Sequence, residues 1–117
     1  MAFLLDSGFL FATLNASEAE HQATIRVLQN IHEPIVLPVP AITEVTYLLA
    51  RDISNETAAD FVTSLAATDL TLASPIQEDY VRSAEILRKY SDARLDFVDA
   101  WIVAIRERLN ITRSAHP

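Results

Sequence analysis

Short strand-like runs, Ala2–Leu5, Ile35–Leu37 and Asp69–Ala73, are separated by long stretches whose apolar residues recur at helical spacing. Runs this short cannot make a useful helix and suit strands buried in a sheet. Strands that alternate with helices cannot pair through hairpins, so the pattern specifies an α/β fold with a short central parallel sheet flanked by helices. The helical stretches are Ser7–Leu14, Glu18–Ile31, Ala41–Arg51, Ser54 to about Ala67, Gln77–Tyr90, and a last one from an Asp96 cap to about Leu109. Their expected inward residues include Ala23, Val27, Leu28 and Ile31, then Val45, Leu48 and Leu49, then Ala58, Phe61, Val62 and Leu65, then Tyr80, Val81, Ala84 and Leu87. Pro38 and Pro40 fit the end of the second strand, because proline donates nothing to a sheet ladder. Asn110 suits a left-handed helix terminus, and Ile111-Thr112-Arg113-Ser114 reads as a fourth strand.

With 117 residues and no internal repeat or linker, the chain is expected to form a single domain over 1–117. The lone glycine, Gly8, removes the glycine-rich phosphate loops of dinucleotide-binding and P-loop folds. The lack of cysteine removes disulfides, thiolate metal sites and cysteine nucleophiles. Nine basic against 16 acidic residues, a net charge of -7, argue against a broad basic face gripping nucleic acid. No stretch has the length of a membrane span and no basic segment precedes the first apolar run, so a cytoplasmic location without membrane contact is expected.

Three lone carboxylates occupy comparable positions. Asp6 follows the first strand, Glu44 lies shortly after the second, and Asp99 falls in the first turn of the last helix. Ligands of open parallel sheets collect beyond the carboxyl ends of the strands. Singly, each residue has a structural explanation, as helix cap or dipole partner. Together they repel one another and call for a cation. Oxygen donors without histidine or cysteine suit Mg²⁺ or Mn²⁺ rather than zinc, and carboxylate-held ions activate water for phosphodiester cleavage.

Leu5-Asp6-Ser7-Gly8-Phe9-Leu10, Ile42-Thr43-Glu44-Val45 and Leu95-Asp96-Phe97-Val98-Asp99-Ala100 resemble successive motifs of PIN-domain proteins, most closely the VapC-type toxins of bacterial toxin–antitoxin pairs. The resemblance runs from Asp6 to Thr112. It implies a PIN-like three-layer fold and a metal-dependent endoribonuclease that cuts RNA with Mg²⁺ or Mn²⁺. It also implies a homodimer, held inactive by a cognate antitoxin. On this likeness Asp6, Glu44 and Asp99 form the metal cluster, Ser7 supports it, and Asp96 is chiefly a helix cap with a lesser supporting role. The resembled proteins carry a fourth acidic or amide residue beyond the last strand. Here Ala115-His116-Pro117 follows instead, so the C-terminal end of the fold is expected to be missing.

Other residues are expected to be structural. His21, His32 and His116 lack a second histidine one turn away and make poor metal ligands. Trp101 reads as core or dimer contact. Arg82, Arg88, Lys89 and Arg94 read as solvated surface, and Tyr47 as packed beside Leu48. Two further functions compete with the nuclease. A catalytically weak PIN-like domain that mainly binds antitoxin or RNA would explain the absent fourth residue. A receiver-like phosphoacceptor would need adjacent acids after strand one and a lysine near the last strand, whereas the sole lysine, Lys89, lies within a helix.

Overall fold

Phe3, Leu4 and Leu5 are all buried and form the strand β1 (Phe3–Leu5), as expected of an interior strand covered on both faces. The computed structural model describes residues 2–111 and 113–115. After β1 come α1 (Ser7–Leu14), α2 (His21–Gln29), β2 (Ile35–Pro38) and α3 (Val39–Asp52). They are followed by α4 (Asn55–Ser64), a 3₁₀ turn (Leu65–Ala67), β3 (Thr71–Ala73), α5 (Gln77–Lys89), α6 (Phe97–Arg108) and β4 (Arg113–Ala115). The sheet is parallel in the order β3-β2-β1-β4. Phe3 and Leu4 align with Ile35 and Val36 on one side of β1 and with Arg113 and Ser114 on the other. The chain therefore builds outward from β1 in one direction and then returns to its other side. That reversal puts the topological switch point at β1, where a parallel sheet opens a crevice at its carboxyl end.

The main core joins β1 and β2 to α1 and α3 through Leu4, Leu5, Phe9, Leu37, Val45 and Leu49. A smaller cluster of Ile86, Ala100 and Ala104 packs α5 against α6. Asn110 takes a positive φ of 55°, the left-handed terminus expected of it. Among the described residues no helix is long and apolar enough to cross a membrane. The fourth-strand reading included Thr112, and the missing-motif reading included His116 and Pro117. Those three residues lie outside the described residues.

Several buried faces differ from the periodicity. On α5 the buried residues are Asp79, Ser83 and Ile86, whereas Tyr80 and Val81 are 55% and 64% exposed. The phase moves because Asp79 is buried as an ion-pair partner of Arg108, with 3.1 Å from Nε to either carboxylate oxygen. On α2 only Thr24 is fully buried, and Ala23 and Val27 face outward. Val62 of α4 is exposed as well. In each case a polar side chain with a partner, or a short helix seated at the margin of the core, displaced the apolar stripe that spacing alone suggests. Pro40 sits within the first turn of α3 rather than at the strand end. A first turn has no intrahelical partner for that missing N–H, so proline is welcome there.

Candidate functional site

Asp6 and Asp96 stand at the junctions that open α1 and α6, whereas Glu44 and Asp99 are carried within α3 and α6. Asp6 is the single residue between β1 and α1, and its Oδ1 accepts the Phe9 N–H at 2.8 Å. Asp96 does the same for α6, accepting the Asp99 N–H at 2.8 Å. Glu44 reaches the site from α3. Because that helix begins at Val39, Glu44 is its sixth residue and stands in the second turn, not the first as spacing suggested. Helix-dipole stabilisation fades beyond the first turn, so that explanation of Glu44 lapses.

The four carboxylates feel one another. Glu44 is held above its ordinary pKa first by burial, then by the charge of Asp96, with Asp99 and Asp6 adding less. The Ser7 hydroxyl pulls the other way, favouring the charged form of Glu44. Asp99 is likewise raised, by burial first, then by Asp96, and more weakly by Asp6. Like charges on β1's exit, α3 and α6 thus converge at the carboxyl end of the switch-point strand. Ser7 is buried beneath them, and its Oγ has no hydrogen-bond partner at bonding geometry among the described residues. A buried hydroxyl so placed is suited to support the Glu44 carboxylate.

A hard divalent cation fits this donor chemistry of carboxylates and one hydroxyl. As placed, however, no three Asp, Glu or His side chains among the described residues stand close enough to share one ion. An ion would have to draw them inward.

Sequence reasoning undervalued Asp96. It is a cap, as expected, but it is also the strongest neighbouring charge on both Glu44 and Asp99. The three-residue spacing of Asp96 and Asp99 was the available signal, since a cap side chain that bonds its i+3 amide must lie beside that residue. His21 was expected on the exposed side of its helix. It is half-buried, and its Nδ1 lies 2.8 Å from the Ala12 carbonyl oxygen, tying α2 to α1. Arg82 is not simply solvated, because its guanidinium forks onto Glu107 at 2.7 and 3.0 Å and joins α5 to α6. Trp101 stands between Phe97 and Tyr80, with ring centroids 4.5 and 4.9 Å away.

The family profile of the PIN domain matches residues 3–113. The chain belongs to the PIN domain family. Ribonuclease VapC26 of Mycobacterium tuberculosis is 25% identical over 105 residues, covering 90% of this chain and 78% of that protein. Among solved structures, the Mycobacterium tuberculosis toxin VapC20, described as cleaving the Sarcin-Ricin loop, superposes with a TM-score of 0.89 at 20% identity. That match spans 96% of this chain and 86% of VapC20. VapBC2 from Rickettsia felis, bound to a DNA fragment from its promoter, gives 0.69 at 12% identity over 94% of this chain and 83% of that one. These structures share the PIN fold seen here.

The raised pKa values carry a consequence for stability. A carboxyl whose folded pKa lies above its unfolded value binds its proton more tightly in the folded state. Its stabilising contribution is present at low pH and is lost as pH rises through the folded value. Charged Glu44 and Asp99 therefore weigh against the PIN fold at neutral pH. Glu44→Gln is expected to raise stability slightly at neutral pH, and the gain should shrink as pH falls into the carboxylate range. Urea unfolding at neutral pH and in that range checks this, and a loss of stability at neutral pH would contradict it.

Proposed function

We propose that this PIN domain is a VapC-type toxin, an endoribonuclease of a toxin–antitoxin pair that cuts RNA phosphodiester bonds with Mg²⁺ or Mn²⁺. The observation that carries the reading is the approach of Asp96, Asp99 and Asp6 to Glu44, near enough for their charges to raise its pKa. The 25% identity to a ribonuclease across 90% of the chain supports it. Asp6, Glu44 and Asp99 hold the ion, while Ser7 and Asp96 hold those carboxylates in place. A divalent cation bound there supplies an activated water and offsets phosphate charge.

The protein's own contribution is arrangement. Asp6 and Asp96 each spend one oxygen on a helix amide, which fixes the direction of the carboxylate. Glu44 projects from a helix anchored by the buried Val45 and Leu49, so its backbone cannot drift from the sheet. A cation held by Asp6, Glu44 and Asp99 would offset the repulsion among these groups. The expected partners are RNA, a cognate antitoxin and a second copy of the chain, all in the cytoplasm.

The test is cleavage of single-stranded RNA by the purified chain. Cutting should require Mg²⁺ or Mn²⁺, stop in EDTA and return when the ion is restored in excess. RNA bound but left intact in Mn²⁺ would select the second reading, a catalytically weak domain that binds antitoxin or RNA. Cleavage that persists in EDTA would refute the metal-dependent mechanism.

A further inference from the structure

Glu44, Tyr47 and Arg51 are spaced three and seven residues apart on α3, so they share one helix face. The opposite face carries Val45 and Leu49, both fully buried. Tyr47 was expected to pack beside Leu48, but it is 63% exposed. Such exposure forgoes most of the burial energy a tyrosine ring offers.

The ring is nevertheless not loose. The Arg51 guanidinium carbon lies 5.7 Å from the Tyr47 ring centroid, within cation–π range. Arg51 is itself fixed by a two-pronged bond to Asp52, Nε to Oδ1 at 2.7 Å and Nη2 to Oδ2 at 3.1 Å. Its charge is therefore answered locally, and it serves as a prop for the ring rather than as a free phosphate ligand. The result is an aromatic platform held in water one helical turn from Glu44, a rise of about 4.5 Å. Stacked bases repeat every ~3.4 Å along a strand, so the platform lies within about two nucleotides of a phosphate at the acidic cluster.

The net charge of -7 sharpens the need for such a device. A protein this acidic gains little from general attraction to phosphates. Base–aromatic stacking is independent of that attraction and is the usual means of holding unpaired bases.

We propose that Tyr47, propped by Arg51, stacks on an unpaired RNA base beside the phosphate presented to Asp6, Glu44 and Asp99. This rests on the ribonuclease reading of that cluster. The test uses the full chain in an Asp99→Asn background, with Mn²⁺ and a fluorescein-labelled single-stranded RNA of mixed sequence, read by anisotropy over a range of salt. Tyr47→Ala and Tyr47→Ile should each weaken binding about tenfold or more at every salt concentration, with the slope against salt unchanged. Tyr47→Phe should bind within about twofold of the parent. In the cleavage-competent protein, Tyr47→Ala should raise KM by a similar factor and leave kcat within about twofold. Unweakened binding by Tyr47→Ala would overturn the proposal, as would full affinity in Tyr47→Ile, which keeps apolar bulk without a ring. If the unsubstituted chain neither binds nor cuts RNA, the ribonuclease reading falls and this one with it; if it cuts and Tyr47 is indifferent, only this one falls.

Discussion

Asp99→Asn is expected to reduce RNA cleavage by on the order of a thousandfold while leaving α6 in place. The two effects separate because the structural part of this turn does not use the Asp99 side chain. The cap runs from the Asp99 backbone N–H to Asp96 Oδ1 at 2.8 Å, and asparagine at 99 retains that N–H. What the substitution removes is one charge from a group of carboxylates that already repel one another. Thermal stability at neutral pH should therefore hold or rise slightly, the opposite of what a lost dipole partner would give. Cleavage of a labelled RNA in Mn²⁺, alongside circular dichroism, tests both halves. A variant that cuts within about tenfold of the parent would return Asp99 to the role of helix-terminus carboxylate.

Arg108→Ala should cost about 3 kcal/mol of stability, far more than an ordinary surface change. Asp79, only 2% exposed, accepts from Arg108 Nε at 3.1 Å on both oxygens, and its Oδ2 also accepts the Ile76 N–H at 2.9 Å. Arg108 in turn donates from Nη2 to the Ser74 carbonyl at 3.1 Å. Removing the arginine leaves a carboxylate in the interior without its cation, and frees the segment that leads into α5. The lower end of the usual range applies because Arg108 itself reaches the surface, with its side chain 27% exposed. Lysine should rescue little, since it has no fork to span Asp79 and the carbonyl. The urea midpoint at constant slope is the measurement, and an unchanged midpoint would show that water replaces the guanidinium at no cost.

The order of elements and the two capping carboxylates, Asp6 and Asp96, were legible because each rests on local chemistry. Strand runs such as Phe3–Leu5 are short and apolar, and Asp6, Ser54 and Asp96 cap their helices as their side chains prescribe. What could not be read was anything decided between elements. Asp79 looks like surface until Arg108 is known to meet it across α5 and α6. Tyr80 and Val81 look like core for the same reason. The start of α3 at Val39 depended on Pro40 entering the helix, a choice that periodicity does not reveal. That two-residue difference changed Glu44 from a dipole partner into a residue with no local explanation. Asp96 was undervalued because a residue with one evident role hides a second.

The acidic residues differ in how the fold carries them. One residue separates β1 from α1, and none separates β2 from α3, so Asp6 and Glu44 are mounted directly on the sheet. Asp96 and Asp99 arrive instead after the irregular stretch between α5 and α6. The second pair is held by the packing of α6, whose Ala100, Ile102 and Ile105 are buried. The acidic groups thus combine two modes of mounting, one set by the sheet and one set by the packing of a helix whose entry is irregular.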